Sequence, residues 1–483
     1  VAIPESGDVF REGTNRIELT ISSSQYYSQT GEKIKTVAYI DNVEIAPVEM
    51  TIVPRSGKEE DTLHYVFGSL EEAAQTLNER NDNYYDETAK IWLNRDIFPG
   101  TGMCFDLTEY TLTLDLKGHI VDFSRSKATA PGIYVGGNSW YEGTFTLEDS
   151  EPDAPHPERE TGFPSGGVIT GAKYSALYIG DKIYGRMTGG TFYRNSAPEK
   201  VVIDKDGESV EGAVGGAITI DSDIYFYFDG GNIRDNLAEG SGGGILAFSS
   251  LEVRSGEITG NRAMKSGGGI YAESGTLELL GGNIGGNTAD LSGGGVGVSP
   301  RPETGSGAKL RLGLAPTVQN NFVLANRVGG AYAGGIADNI RVDVSGDNYF
   351  QIYNTFRGEV GIRTEPIRQG ETHILCTKPA GYSDTGKIIL DDADCELTLK
   401  EIGENSVWYI GGVYAPSTVT PVFGRFYLGE SLPEISLSSG DTPGSIAWES
   451  GQTVDAASKV YYWIFTPEDT VNYNVRRGAC LVT

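Results

Sequence analysis

Three stretches superimpose without a gap: Asn236-Leu-Ala-Glu-Gly-Ser-Gly-Gly-Gly-Ile245, Asn261-Arg-Ala-Met-Lys-Ser-Gly-Gly-Gly-Ile270 and Asn287-Thr-Ala-Asp-Leu-Ser-Gly-Gly-Gly-Val296. Each runs from an asparagine through a glycine triplet to an aliphatic residue, and the asparagines are 25 and then 26 residues apart. This period fits one coil of a parallel β-helix and is too short for helical repeats of roughly 33 to 47 residues. The glycine density would also destabilise helices. The sequence therefore predicts an all-β chain whose centre is a right-handed parallel β-helix, a solenoid.

The repeat also predicts which side chains lie above one another. Coils that stack as neighbouring strands do, about 4.8 Å apart, place equivalent residues in columns, and buried asparagines in a column can form an amide ladder. The predicted ladder consists of Asn195, Asn236, Asn261 and Asn287. The predicted inward aliphatic stack consists of Ile218, Ile245, Ile270 and Val296.

Two further copies of the repeat are less regular. In the copy that begins at Asn195, the charged stretch 198–211 adds 14 residues before the aliphatic position, and we expect it to project as a loop or hairpin. A weaker copy runs from Asn326 to Ile336, after a similar insertion that begins near Pro300.

The pair Phe192-Tyr-Arg-Asn195 and Gly215-Gly-Ala-Ile218 resembles the FxxN and GGAI repeats of polymorphic outer-membrane proteins and related β-helical adhesins of bacteria. Later coils depart from that pattern by placing isoleucine where it has phenylalanine. Leu114-Asp-Leu-Lys-Gly-His-Ile120 looks like the opening coil of many secreted bacterial β-helix proteins. The resemblance implies an extracellular protein, secreted or attached to the cell surface. It implies little about activity, because this fold hosts lyases, hydrolases and non-catalytic binders.

The sequence patterns at the two ends of the chain differ from the repeat at its centre. Residues 1–65 alternate apolar and polar side chains, which predicts a small N-terminal β region. Residues 66–414 form the predicted β-helix, opened by a capping helix over 69–80 in which Ser69 and Glu72 make a capping box. Residues 415–483 contain Phe465-Thr-Pro-Glu-Asp-Thr-Val-Asn-Tyr473 and resemble a bacterial immunoglobulin-like module, a small β-sandwich.

Composition narrows the classes of partner. The 66 acidic and 38 basic residues give a net charge of −28, which disfavours binding to nucleic acid or to anionic lipid. No apolar run is long enough to span a membrane. The chain opens at Val1 rather than at a methionine, which fits a mature chain that has lost a secretion signal.

Cysteine and histidine patterns predict no cofactor and no metal site. Four cysteines without a CxxC pair and four scattered histidines argue against structural zinc, and weak Ca²⁺ binding by carboxylates is the alternative. Cys376 and Cys395 either pair across a turn-rich stretch or remain buried thiols.

The speculative catalytic residues are Asp221 and Asp223. If Ile218 points inward, strand parity turns these carboxylates outward beside Tyr225 and Tyr227, the speculative ligand-binding residues. Asp-Ser-Asp is also an ordinary corner between strands, and that interpretation is preferred. Four further tyrosines cluster in sequence and are expected on one side of neighbouring coils, where they either contact a glycan or protein or pack the joints between coils: Tyr174, Tyr178, Tyr184 and Tyr193.

Two functions follow from these observations. The first is a non-catalytic, adhesin-like protein that presents a rigid β-helix to a glycan or to a host or bacterial surface protein. The alternative is a carbohydrate-active enzyme, a glycoside hydrolase or polysaccharide lyase, that uses outward carboxylates.

Overall fold

Among the residues that the structure describes, strands are the main secondary structure, with one α-helix, and most strands lie in long sheets that are largely parallel. The computed structural model describes residues 13–21, 34–43, 46–54, 62–81, 87–108, 110–136, 142–180, 182–205, 208–300, 307–324, 327–328, 331–332, 335–344, 348–379, 385–402, 405–415, 417–455 and 459–482. These ranges leave parts of the predicted N-terminal region outside the described residues, together with Asn326.

The N-terminal part contains a separate hairpin and the start of the longest sheet. Its elements are β1 (Gly13–Ile21), β2 (Ile34–Val43), β3 (Val48–Val53), β4 (Leu63–Phe67), α1 (Leu70–Asn81) and β5 (Thr88–Leu93). Strands β1 and β2 pair with each other, whereas β3 lies antiparallel between β4 and β5. Residues on both sides of position 65 therefore belong to one sheet.

The helix α1 matches the predicted cap. The Ser69 hydroxyl accepts a hydrogen bond from the Glu72 backbone N–H at 3.2 Å, and the Glu72 carboxylate accepts one from the Gly68 N–H at 2.9 Å. Its apolar side, which includes Leu70 and Leu77, is fully buried. The Asn78 amide donates to the Cys104 carbonyl, so the helix is fixed against an edge of the solenoid.

The solenoid is built from many short strands. They are β6 (Met103–Asp106), β7 (Thr111–Asp115), β8 (Ile120–Asp122), β9 (Ile133–Gly136), β10 (Gly143–Glu148), β11 (Val168–Thr170), β12 (Leu177–Ile179), β13 (Ile183–Met187), β14 (Thr191–Tyr193), β15 (Ser196–Ala197), β16 (Lys200–Lys205), β17 (Glu208–Ala213), β18 (Ile218–Ile220), β19 (Tyr225–Phe228), β20 (Asn232–Arg234), β21 (Leu237–Ala238), β22 (Ile245–Ala247), β23 (Ser250–Val253), β24 (Glu257–Thr259), β25 (Arg262–Ala263), β26 (Ile270–Ala272), β27 (Gly275–Leu279), β28 (Asn283–Gly285), β29 (Thr288–Ala289), β30 (Val296–Val298), β31 (Ala308–Leu314), β32 (Thr317–Gln319), β33 (Phe322–Leu324), β34 (Arg327–Val328), β35 (Ala331–Tyr332), β36 (Gly335–Ala337), β37 (Ile340–Val342), β38 (Phe350–Phe356), β39 (Glu359–Thr364), β40 (Thr372–Lys378) and β41 (Lys387–Leu390). A short 3-10 turn covers Phe123–Arg125.

Each coil contributes one strand to each of three long parallel stacks. The first stack, named here the long sheet, runs β5, β7, β10, β13, β19, β23, β27, β31 and β38. The second runs β8, β11, β14, β20, β24, β28, β32 and β39. The third runs β6, β9, β12, β18, β22, β26, β30 and β37.

The interior is one continuous apolar core. In the third stack Ile218, Ile245, Ile270 and Val296 lie in direct register and are fully buried, as the repeat predicts. Burying a side chain of this size stabilises the fold by about 1.5 to 3 kcal/mol. The columns therefore supply the main apolar contribution to the solenoid.

The four predicted asparagines form a hydrogen-bonded column. The Asn195 amide donates to Asn236 Oδ1 at 3.1 Å, Asn236 donates to Asn261 at 2.9 Å, and Asn261 donates to Asn287 at 3.0 Å. Each Oδ1 also accepts the backbone N–H of the preceding asparagine. All four side chains are almost completely buried.

The column is longer than the repeat predicts. Asn287 donates to Asn321, and Asn321 donates to Asn339, each at 3.0 Å. The next position is Asp391, which accepts both the backbone N–H and the amide of Asn339 at 2.7 and 2.8 Å. A carboxylate can only accept, so the run of asparagine donors ends at Asp391.

Glycines are required where neighbouring coils touch. Gly267 has a φ of +68°, a conformation that strains residues with a Cβ. A Cβ on Gly268 would lie 2.2 Å from the Gly294 carbonyl oxygen and 2.3 Å from that of Thr288. The triplets therefore serve backbone packing between coils and do not open helices.

The charged stretch 198–211 projects as predicted, because β16 and β17 form an antiparallel hairpin outside the three stacks. The C-terminal strands are β42 (Cys395–Ile402), β43 (Asn405–Gly412), β44 (Pro421–Phe423), β45 (Ile435–Leu437), β46 (Gly444–Trp448), β47 (Lys459–Pro467) and β48 (Arg476–Val482). Strand β48 pairs with β47 and also with β36 of the solenoid. Of the C-terminal strands, β48 is therefore hydrogen-bonded directly to the solenoid.

The pairing of Cys376 with Cys395 is wrong. All four cysteines lie in the described ranges and none forms a disulfide. Cys376 lies on β40 and Cys395 on β42, and β43 separates the two strands. The buried-thiol alternative fits Cys376, which is fully buried, and burial raises the pKa of the Cys395 thiol to about 12.

Candidate functional site

The outer face of the long sheet carries aromatic and charged side chains on consecutive coils. Strand alternation turns residues such as Phe226 and Leu251 into the core and leaves their neighbours outside. We name the outward group the tyrosine–arginine face; its members are Tyr184, Arg186, Tyr225, Tyr227, Asp229, Glu252, Arg254, Glu278, Arg311 and Tyr353. Because the strands stack in register, this face is a regular array.

Two exposed tyrosines lie at one side of this face. The rings of Tyr184 and Tyr225 are stacked, with centroids 6.3 Å apart and planes 9° from parallel. Tyr184 is 37% and Tyr225 is 52% exposed, so large apolar ring surfaces remain open to solvent. Partial burial, followed by the negative charge of Glu142, raises the pKa of Tyr184, which keeps its hydroxyl protonated near neutrality.

A charged network lies beside the tyrosine pair. The Arg254 guanidinium makes two hydrogen bonds to the Glu252 carboxylate, at 2.7 and 3.0 Å, and lies 4.5 Å from the Tyr227 ring centroid. The hydrogen bond to Glu252 raises the pKa of Arg254. This fork and ring packing hold the guanidinium in one orientation.

Asp229 joins the same network from the end of β19. Its carboxylate forms ion pairs with Arg186 at 2.5 Å and with Arg254 at 3.5 Å. Neither oxygen has a partner in hydrogen-bond geometry within the described chain, so the ion pairs with the two arginines offset the cost of burying the carboxylate. Arg186 remains half-exposed and keeps donors available to a ligand.

The next coils continue the pattern. Arg311 donates to the Glu278 carboxylate at 2.9 Å, and the Tyr353 hydroxyl donates to the other Glu278 oxygen. Burial, followed by that hydrogen bond, raises the pKa of Tyr353. Glu252 and Glu278 are direct partners on adjacent strands, but each is already held by an arginine.

The prediction that Asp221 points outward is wrong. Its side chain is buried, and its carboxylate accepts the Tyr178 hydroxyl at 2.7 Å and the Ser222 N–H at 2.8 Å. Asp223 is exposed and has a φ of +56°, so Ser222 and Asp223 form a turn between β18 and β19. Strand parity does not extend through this corner, and the two aspartates do not form an outward pair.

Tyr225 and Tyr227 lie where the sequence predicts, on the outer side of β19. Their partners were missed, because Tyr184, Arg186 and Arg254 come from other coils and no local motif joins them. The period of about 25 residues was the available signal, since it predicts which strands become neighbours. Tyr178 and Tyr193, which are near Tyr184 in sequence, are instead buried on other stacks.

The face offers no deep pocket to a substrate among its described residues. A concavity between Val298, Lys309 and Tyr349 has a volume of about 40 Å³, which holds only a few water molecules.

Comparison of the chain with protein-family models, with curated proteins and with solved structures gave no match. Among the described residues, no helix combines the length and apolar character needed to cross a bilayer.

Proposed function

We propose that this chain is a non-catalytic, extracellular or cell-surface protein that presents a right-handed β-helix, and above all its tyrosine–arginine face, to a glycan. The right hand follows the general preference of parallel crossovers. The C-terminal strands would form an immunoglobulin-like module that supports the solenoid, packed around Phe423 and Tyr461.

The stacked pair Tyr184–Tyr225 beside fixed guanidinium groups carries this proposal. Aromatic rings offer flat apolar surface at a low entropic cost, and arginine and tyrosine donors can bind ring hydroxyls or carboxylates. Because equivalent groups recur on successive strands, an extended chain of sugars could contact several coils at once.

A binding role fits better than catalysis because the acidic groups are already used. Glycoside hydrolysis needs one carboxyl group that can donate a proton and a second that acts as base or nucleophile. Glu252, Glu278 and Asp229 each pair with an arginine of the same face, so their carboxylates are already held by protein partners. The alternative of a glycoside hydrolase or polysaccharide lyase rests on the row of charged groups on consecutive coils.

The test is a glycan array probed with the labelled chain, followed by titration of the best ligand against Tyr184→Ala and Tyr225→Ala. Tyrosine anchors contribute about 1 to 2 kcal/mol each, so we expect Kd to rise about 5- to 30-fold in each variant. Tyr427→Ala is the matched control, because Tyr427 is 57% exposed on the C-terminal segment. Equal binding by all three variants would rule out the face as the glycan site.

The same ligands distinguish the alternative function. Incubation followed by mass spectrometry reports cleavage directly, and Glu252→Gln with Glu278→Gln removes the paired carboxylates. Cleavage by the wild-type chain that this double variant abolishes would establish the enzyme in place of the binding protein.

A further inference from the structure

A second cluster of polar side chains lies away from the tyrosine–arginine face, where the segment 149–167 covers the second stack. This segment is anchored to the coil beneath it. The Asp149 carboxylate accepts the Gly118 N–H at 2.7 Å, and Arg159 donates to Asp122 at 3.0 Å. The segment therefore has a defined position against the corner residues Asp96 and His119.

Three potential ligand atoms meet at this contact. One nitrogen of His156 and one carboxylate oxygen each of Asp96 and Glu158 all lie within 4.8 Å of one another. His156 Nδ1 is 3.9 Å from Glu158 Oε1, which is too long for a hydrogen bond. Asp96 and His156 come from segments about 60 residues apart in sequence, so the fold and not a local motif brings them together.

The orientation of His156 points to a metal ligand. Its Nε2 lies 2.7 Å from the Gly166 carbonyl oxygen, and a carbonyl can only accept, so Nε2 carries the proton. In the neutral ring Nδ1 then holds the lone pair, and Nδ1 is the nitrogen that lies 3.9 Å from the Glu158 carboxylate. A histidine that donates its other N–H to a backbone carbonyl is the usual arrangement in protein metal sites. The His156 side chain is only 6% exposed, so its orientation is fixed.

The contacts of Asp96 and the exposure of Glu158 also fit a metal site. His119 Nδ1 lies 3.7 Å from Asp96 Oδ1, and Asp96 also accepts the Ile120 N–H at 2.9 Å. These contacts orient the Asp96 carboxylate. Glu158 is 58% exposed, and an inward rotation of its side chain would bring its oxygen within the spacing of a tetrahedral site.

We propose that Asp96, His156 and Glu158 bind one Zn²⁺ ion that fastens the segment 149–167 to the solenoid. One imidazole nitrogen with two carboxylate oxygens is a donor set that zinc accepts, whereas Ca²⁺ takes oxygen ligands. The site revises the expectation of no metal drawn from the scattered histidines, because that expectation considered only spacing along the chain. The proposal does not depend on glycan binding.

The test is equilibrium dialysis of the purified chain against low micromolar ZnCl₂ in the presence of excess CaCl₂, with metal content measured by mass spectrometry. We expect one zinc ion per chain. Glu158→Gln and Asp96→Asn should each weaken zinc binding by at least 10-fold. Glu160→Gln is the matched control, since Glu160 lies in the same segment but pairs with Arg194, and it should bind zinc as the wild type does.

X-ray absorption at the zinc edge supplies a readout of ligand identity, and the proposal expects one imidazole among oxygen ligands. Circular dichroism tests whether each variant is folded. If Asp96→Asn is unfolded, the zinc affinity of Glu158→Gln alone decides the outcome. Unchanged zinc binding in a folded Glu158→Gln chain, or displacement of zinc by calcium, would overturn the site. No zinc binding by the wild type would likewise overturn the site.

Discussion

Replacing Asn261 by alanine should reveal how much of the stability of the solenoid depends on the asparagine ladder. The Asn261 side chain is fully buried and makes four hydrogen bonds. Its amide donates to the Ile233 carbonyl at 2.8 Å and to Asn287 at 3.0 Å, and its oxygen accepts two donors from Asn236. The alanine variant loses all four and leaves both Asn236 donors without this acceptor. Each buried donor that is left without an acceptor costs about 1 to 3 kcal/mol. The two Asn236 donors therefore predict a loss of about 2 to 6 kcal/mol in the free energy of unfolding.

The assay is urea denaturation followed by far-ultraviolet circular dichroism, combined with hydrogen exchange of the Asn236 N–H. Exchange is needed because stacked repeats can unfold in parts, and it reports the loss locally. Asn283→Ala is the matched control: Asn283 belongs to the next coil but is exposed on β28, so its replacement should cost within about 0.5 kcal/mol. A loss under about 1 kcal/mol for Asn261→Ala, or one equal to that of the control, would refute the structural role of the ladder.

Three further predictions concern the corners, the end of the ladder and the thiols. Gly268→Ala should destabilise the fold by several kcal/mol in the same denaturation assay, because its Cβ would collide with two backbone carbonyls, whereas Gly240→Ala, whose nearest neighbour would be 3.5 Å away, should not. Burial raises the pKa of Asp391 to about 6, so its contribution to stability falls as pH rises from about 4 through 6. Asp391→Asn should therefore raise the free energy of unfolding at pH 8 by on the order of 2 to 3 kcal/mol and change it little at pH 4, and a variant no more stable at pH 8 would contradict this. Iodoacetamide at pH 8 should label one thiol of the native chain quickly, the exposed Cys104, and all four after denaturation; rapid labelling of a second native thiol would contradict the burial of Cys376 and Cys480 or the raised pKa of the partly buried Cys395.

The sequence predicts the solenoid and its columns well because the period is almost constant between Asn236 and Val296. It misses Asn321 and Asn339, which follow at intervals of 34 and 18 residues and so match no fixed period. By composition, the glycine-rich copy after Asn326 is the predicted continuation of the repeat. Hydrogen bonding, not spacing, decides which asparagine enters the column, and a sequence alone does not show it.

The candidate sites were harder to predict for a related reason. Tyr225 and Tyr227 follow from strand parity, but Asp221 does not, because a corner resets the alternation before β19 begins. Arg186, Asp229 and Arg254 meet only because three coils stack in register. The contact of His156 with Asp96 depends on where a 19-residue segment folds back, and neither its length nor its composition specifies that position.

The ladder and the faces together explain how this fold combines insertions with a regular surface. Each rung links one coil to the next through buried hydrogen bonds, so register is held even where the coil lengths differ, as between Asn287 and Asn321. Extra residues are then inserted at the corners between strands, as in the hairpin of β16 and β17. The strands of the long sheet on either side of that insertion, β13 and β19, stay paired in register. Side chains on that sheet consequently keep one spacing over many coils. A surface with such a spacing suits a ligand that is itself a repeating polymer, because matched repeats allow many weak contacts to form together.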